Sequence, residues 1–67
     1  MLTLRVNGEQ RSINRPMTVQ EYLEANSLVL PFMAVARNGE VLHKHEYPQV
    51  VLEDGDRLEV VRMVGGG

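Results

Sequence analysis

The stretch "FMAVARNGEVLH", residues 32–43, carries the clearest strand-turn-strand pattern in the chain. "FMAVAR" is followed by Asn38-Gly39 and then by "EVLH". An Asn-Gly pair suits the positive φ angles at both central positions of a tight turn, so it favours a hairpin. The stretch therefore predicts two antiparallel strands, which are the third and fourth of the chain.

The N-terminal residues predict another hairpin. "LTLRVN", residues 2–7, alternates apolar and polar side chains, as a strand with one buried face does. "NGEQ" then supplies a turn, and "RSI" returns as a strand that buries Ile13.

Between the two hairpins, the sequence predicts one helix that begins at Val19. Pro16 keeps the residue before it in an extended conformation, and "TVQE" has the pattern of a capping box between Thr18 and Glu21. The buried face of the helix is expected to hold Val19, Tyr22 and Leu23, and the helix is expected to end at Asn26 and Ser27.

The segment "KHEYPQVVLEDGD", residues 44–56, is predicted to connect the second hairpin to the last strand. A short helical turn is expected at residues 44–47 and burial at residues 50–52. The "DGD" of residues 54–56 contains two possible calcium ligands, but the other ligands of a calcium loop are missing. We interpret it as a turn.

"RLEVVRMV", residues 57–64, alternates in the same way and predicts the last strand, with Leu58 and Val60 pointing inward. The resulting order is ββαβββ, in which one helix covers one face of a small sheet, and this is an α+β fold. We predict one domain over residues 1–64, followed by a flexible glycine tail over residues 65–67.

Composition and charge argue against several classes of function for this chain. The 67 residues are 43% hydrophobic and 24% charged, as in a soluble globular domain. A net charge of −2 gives little electrostatic attraction to nucleic acid, and the chain has no cysteine for a disulfide or a thiolate metal site. No targeting or membrane-spanning segment is recognisable, so we expect a cytoplasmic location and no membrane partner.

Two histidines are the only candidates for a transition-metal site. His43 and His45 stand two residues apart beside Glu46, and an extended strand would point both imidazoles toward one metal. A stable site needs three or four ligands, so loop residues are the favoured interpretation and no metal is predicted. No arrangement of nucleophile and base predicts a catalytic residue.

Three segments together carry a resemblance to a known family. "VARNGEVL" (residues 35–42), "LEDGDRLEVV" (residues 52–61) and "VGGG" (residues 64–67) stand in the order found in the β-grasp, ubiquitin-like sulfur carriers, and most closely resemble the ThiS type of thiamine biosynthesis. The resemblance covers essentially the whole chain. It implies a β-grasp fold, a small mixed sheet with one main helix packed on one face, and a protein co-substrate rather than an enzyme.

The resemblance also implies a chemistry at the end of the chain. An E1-like adenylyltransferase of the ThiF type would use ATP and Mg to activate the carboxylate of Gly67, and sulfur from a donor such as a cysteine desulfurase system would convert it to a thiocarboxylate. A thiazole synthase of the ThiG type would receive the sulfur. Gly65 and Gly66 would thread a channel of the partner, and the chain itself would bind no cofactor.

A docking surface is expected beside this tail. If Leu58 and Val60 point inward, the residues that alternate with them point outward. In the ubiquitin-like register, Met33 and Val35 are buried and the two alanines that alternate with them face outward. The expected docking residues are Ala34, Ala36, Glu59, Val61, Arg62 and Met63.

Other functions remain open at this point. The related molybdopterin-type carrier uses the same terminal chemistry, and a ubiquitin-like interaction module would bind a partner without using its tail. In the second case the glycines are an ordinary frayed terminus. An RNA-binding β-grasp domain is disfavoured by the net charge and by having one Phe, two Tyr and no Trp for base stacking.

Overall fold

A computed structural model describes residues 1–29 and 31–62 of the chain. Within them, the strands and the α-helix follow one another in the predicted order, with a 3-10 helix at the predicted helical turn. The elements are β1 (Leu2–Val6), β2 (Glu9–Ile13), α1 (Val19–Ala25), β3 (Met33–Arg37), β4 (Glu40–Leu42), the 3-10 helix (Lys44–Glu46) and β5 (Arg57–Arg62). The predicted tail, residues 65–67, lies outside the described residues.

The five strands form one mixed sheet in the order β2-β1-β5-β3-β4. β1 and β5 are parallel, and every other neighbouring pair is antiparallel. The last strand of the chain is thus the middle strand of the sheet. One helix on one face of this sheet confirms the predicted α+β fold.

Both hairpins turn on an Asn-Gly pair. The φ angles are 51° and 82° at Asn7-Gly8 and 51° and 86° at Asn38-Gly39, so both residues of each turn are in the left-handed region, where glycine is favoured. The prediction that the second strand begins at residue 11 is wrong. A two-residue turn leaves Glu9 free to pair with Val6, so β2 begins at Glu9.

Reciprocal hydrogen bonds begin α1 as predicted. The amide of Glu21 donates to the hydroxyl of Thr18 (3.1 Å), and the amide of Thr18 donates to Oε1 of Glu21 (2.8 Å). The bond from the Thr18 amide lowers the pKa of Glu21 from its ordinary value. Within the described ranges, no helix is both long and apolar enough to cross a membrane.

The core lies between α1 and one face of the sheet. The predicted buried residues of α1 are confirmed, because Val19, Tyr22 and Leu23 are almost fully buried. The buried apolar side chains of the described chain are Leu4, Val6, Ile13, Val19, Tyr22, Leu23, Val35, Tyr47, Leu52 and Leu58. Burial raises the pKa of both Tyr22 and Tyr47.

The connection before β5 departs from the prediction at one residue. Burial was expected for all of residues 50–52, but the side chain of Val51 is 49% exposed. Leu52 is buried and Val50 is half-buried. Val51 forms an isolated antiparallel bridge with Thr18, and in extended backbone alternate side chains point to opposite sides. Val51 therefore points away from the core that its two neighbours enter.

Candidate functional site

The face of the sheet opposite α1 carries four of the predicted docking residues. β3 and β5 pair with Ala34 opposite Val61 and Ala36 opposite Glu59. Val35, between the two alanines, is completely buried in the core. Because side chains along a strand alternate between faces, the four residues lie together on the side away from the core. The predicted outward orientation of both alanines is confirmed.

Val41 lies on the same face, and the sequence analysis missed it. β4 places Val41 opposite Ala36, and its side chain is 70% exposed, compared with 56% for Val61. The sequence contains enough information to locate Val41. A two-residue turn at Asn38-Gly39 fixes the register of the hairpin, and this register decides which residue lies opposite Ala36. We call the apolar residues of this face the outer patch, which consists of Ala34, Ala36, Val41 and Val61.

Arg62 is not part of this surface. The sequence analysis placed it at the rim, but Arg62 pairs with Met33, which lies on the other face from Ala34. Alternation along β5 likewise puts Arg62 on the opposite face from Val61. Glu59 remains at the border of the outer patch. Residue 63, also predicted for docking, and the glycines at 65–67 lie outside the described residues.

Phe32 is an exposed aromatic residue at the end of the sheet. It was predicted to belong to the third strand, but β3 begins at Met33 and Phe32 precedes it with a φ of 56°. A non-glycine residue costs about 1–2 kcal/mol in this left-handed region. The side chain is 80% exposed. Since Met33 pairs with Arg62, Phe32 lies at the end of the sheet from which residues 63–67 continue.

The side chain of Asn7 binds the backbone of β5 near the C-terminal end of that strand. β1 stops at Val6, but the side-chain amide of Asn7 continues the pairing. Oδ1 of Asn7 accepts from the amide of Val60 (2.8 Å), and Nδ2 of Asn7 donates to the carbonyl of Val60 (3.2 Å). One side chain thus satisfies both backbone groups of the residue that immediately precedes Val61.

Asp56 holds the beginning of β5. It is the one buried charged side chain among the described residues, with 6% of its surface exposed. Its carboxylate accepts from Nε of Arg37 (2.9 Å), Nδ2 of Asn38 (3.0 Å) and the amide of Glu53 (2.8 Å). Burial by itself raises the pKa of Asp56, but these three hydrogen bonds and the positive charge of Arg37 hold it below its ordinary value.

The two candidate metal-binding histidines are stacked on each other. The ring centroids of His43 and His45 are 5.7 Å apart and the rings are nearly parallel, with an angle of 5° between their planes. The lone pairs of imidazole nitrogens lie in the ring plane, so rings in this arrangement do not direct them at one ion. Among the residues that the structure describes, no group of three or more potential metal ligands is found.

The mixed five-stranded sheet with one helix on one face defines a small β-grasp protein. A solved structure with the same fold is the thiamine biosynthesis protein (ThiS) from Geobacter metallireducens, with a TM-score of 0.87 and 30% sequence identity. The match covers 98% of this chain and 100% of that one. The sequence profile of the ThiS family matches residues 4–67. The chain belongs to the ThiS family.

The curated relatives include sulfur carrier proteins and thiazole synthases. The sulfur carrier protein ThiS of Bacillus subtilis is 35% identical over 65 residues, which cover 96% of this chain and 98% of that protein. A thiazole synthase of Paramagnetospirillum magneticum is 41% identical over 66 residues, which cover 98% of this chain but only 20% of that protein. The chain therefore spans about a fifth of the length of this second relative. The relatives from Bacillus subtilis and Thermus thermophilus are sulfur carrier proteins.

Proposed function

We propose that this chain is a sulfur carrier in thiamine biosynthesis, whose C-terminal carboxylate, on Gly67, is adenylated and then converted to a thiocarboxylate. The sulfur is delivered to a thiazole synthase for thiazole formation. The observation that carries this proposal is the match to the ThiS family, because it extends over residues 4–67 and so includes the glycines at the end of the sequence.

The charge of the α-carboxyl group explains why this group must be activated before sulfur is added. An α-carboxyl group with a pKa of about 3.3–3.7 is an anion at neutral pH, and it resists attack by a nucleophile. Attack of a carboxylate oxygen of Gly67 on the α-phosphorus of ATP releases pyrophosphate and forms a mixed anhydride. Hydrosulfide then attacks the acyl carbon and AMP leaves, so that a carbon–sulfur bond replaces the carbon–oxygen bond and the product is a thiocarboxylate.

The glycines give the carboxylate access to a partner. Gly65 and Gly66 have no Cβ to collide with the walls of a narrow channel, and they adopt whatever φ the channel demands. Ordering such a segment costs about 1–2 kcal/mol per residue, so binding energy must come from the folded domain. We propose that the outer patch supplies it, together with Glu59 and Met63.

Two enzymes would use this surface in turn. An E1-like adenylyltransferase of the ThiF type would bind and use the ATP and Mg. A cysteine desulfurase system would be the source of the sulfur. A thiazole synthase of the ThiG type would accept the sulfur, and the resemblance of this chain to part of a thiazole synthase supports that partner. We place all these steps in the cytoplasm.

Reconstitution tests the proposal. The chain is incubated with the adenylyltransferase from the same organism, ATP, Mg and a sulfide source, and its intact mass is measured. We expect a product in which one oxygen is replaced by sulfur, and no such product from a variant that lacks Gly66 and Gly67. An unchanged mass in the complete mixture would refute the carrier function. Transfer of the sulfur to a molybdopterin synthase instead of a thiazole synthase would identify the related carrier.

A further inference from the structure

Two arginines stand side by side on the face that carries the outer patch. β1 and β5 are parallel, with Arg5 opposite Arg57 and Val6 opposite Leu58. Val6 and Leu58 are buried in the core, so the two arginines point to the opposite face. Arg5 and Arg57 are therefore neighbours across two adjacent strands, whose backbones are about 4.8 Å apart. We call Arg5 and Arg57 the arginine pair.

Neither arginine of this pair forms an ion pair with another residue that the structure describes. Among the described residues, no carboxylate lies within ion-pair distance of Arg5 or Arg57, whereas Arg37 on β3 binds Asp56 at 2.9 Å. One side-chain N–H of Arg5 donates to the carbonyl of Gly8 at 3.1 Å, which leaves its other donors available. Like charges directly opposite each other across two strands destabilise a sheet. The described contacts of the arginine pair therefore leave it available to carboxylates of a partner.

The arginine pair borders the outer patch. Glu59 follows Arg57 by two residues on β5 and faces the same way, and Glu59 pairs with Ala36 of the patch. An apolar centre beside charged residues is the common arrangement of a protein interface. Arginine forms bidentate hydrogen bonds with carboxylates, so the complementary partner surface is apolar with acidic side chains beside it.

We propose that the arginine pair binds carboxylates of the thiazole synthase and fixes the orientation in which the outer patch docks on it. This inference rests on the proposed function. The thiazole synthase is the chosen occupant because a segment similar to 98% of this chain forms part of the thiazole synthase of P. magneticum. In the proposed complex, the carboxylates remove the repulsion between Arg5 and Arg57, and the two guanidinium groups set the register of docking.

The test compares two double variants that remove the same charge. Arg5→Gln with Arg57→Gln neutralises the arginine pair, and Arg11→Gln with Arg15→Gln is the control. Arg11 pairs with Leu4 and so lies on the core side of β2, and Arg15 lies between β2 and α1. Dissociation constants for the thiazole synthase from the same organism are measured over a range of salt concentrations.

We expect neutralising the arginine pair to weaken binding about tenfold and to make the dissociation constant less dependent on salt, while the control changes neither. The melting temperature of the arginine-pair variant should stay close to that of the wild type, because the loss of a repulsion and the loss of the hydrogen bond from Arg5 to Gly8 act in opposite directions. Equal losses in the two double variants would overturn the proposal, since a general charge effect would then explain them. Absence of wild-type binding to the synthase would also overturn it.

Two further measurements separate this proposal from others. Inorganic phosphate that competes with the synthase and shifts the NMR signals of Arg5 and Arg57 would assign the pair to a free anion and overturn the proposal. The proposed function is judged separately, by formation of the thiocarboxylate with the adenylyltransferase. If the thiocarboxylate forms but the two double variants bind the synthase equally well, only the role of the arginine pair is refuted.

Discussion

At the scale of single residues, Asp56 and Asn7 position β5. Asp56 fixes its beginning through three hydrogen bonds, and Asn7 fixes Val60 near its end through two. The sequence identifies "NG" and "DGD" as turns, which is correct for both. It does not reveal the side-chain bonds, because Asn7 and Val60 are 53 residues apart in the chain.

Asp56→Asn should destabilise the domain by about 2–3 kcal/mol, because an amide replaces a buried, charged acceptor of three hydrogen bonds. Chemical denaturation measures the loss. The matched control is Glu40→Gln, which alters an exposed carboxylate on β4 and should change the free energy of unfolding by less than about 0.5 kcal/mol. Equal effects of the two substitutions would contradict the role assigned to Asp56.

The same carboxylate predicts a dependence on pH. Because the folded state lowers the pKa of Asp56, the unfolded state binds more protons in the acid range, and stability falls as pH falls. The contribution of Asp56 is fully present above its unfolded pKa of about 3.9 and is lost as pH decreases through its lower folded pKa. Denaturation at a series of pH values should show a smaller acid loss for Asp56→Asn than for the wild type. Identical slopes would show that Asp56 is not responsible.

Asn7→Gly isolates the contribution of the Asn7 side chain. Glycine accepts the positive φ of 51° at this position without strain, so the substitution removes the amide and leaves the turn. We expect the amide of Val60 to exchange with solvent about fivefold faster in hydrogen-exchange NMR, which corresponds to about 1 kcal/mol for a lost hydrogen bond. The amide of Val35 on β3 is the internal control. Unchanged exchange at Val60 would mean that the Asn7 side chain does not hold β5.

At the scale of elements, local patterns predict the existence and order of the strands, the helix and the two hairpins, but not every strand boundary. Thr18 and Glu21 begin α1 because a capping box involves only neighbouring residues, and Asn38-Gly39 sets a hairpin for the same reason. Several errors are local as well. β2 begins at Glu9 because the turn before it has only two residues, and alternation along the backbone turns Val51 away from the core and Arg62 away from the outer patch.

The outer patch is formed by the pairing of β3, β4 and β5. Its role in docking can be tested by introducing charged residues into it. Val41→Asp and Val61→Asp place carboxylates at positions that are 70% and 56% exposed, so both variants should fold normally. We expect each to raise the KM of the adenylyltransferase for the carrier about tenfold or more, with kcat little changed, because a buried charge opposes docking.

Val51→Asp is the matched control for these variants. Val51 has a similar exposure, 49%, but lies in the connection before β5 and outside the outer patch. Its substitution should leave the KM unchanged. A similar rise in KM for all three variants would show that the outer patch has no special role.

At the scale of the whole molecule, we propose that a small domain carries a reactive end. A chain of 67 residues buries only about 60% of its unfolded surface, so we expect modest stability. The sequence predicts the domain and the chemistry of its glycines. It does not predict the outer patch in full or the arginine pair, because both are assembled from strands that are distant in the chain.

The most direct test of the central claim is to block the carboxylate of Gly67 without changing the fold. A chain with a C-terminal amide is prepared by ligation, its folding is verified by NMR, and sulfur transfer to the thiazole synthase is measured with the adenylyltransferase, ATP and a sulfide source present. We predict no thiocarboxylate and no transferred sulfur, since an amide does not attack ATP. Sulfur transfer at the rate of the unmodified chain would contradict the account.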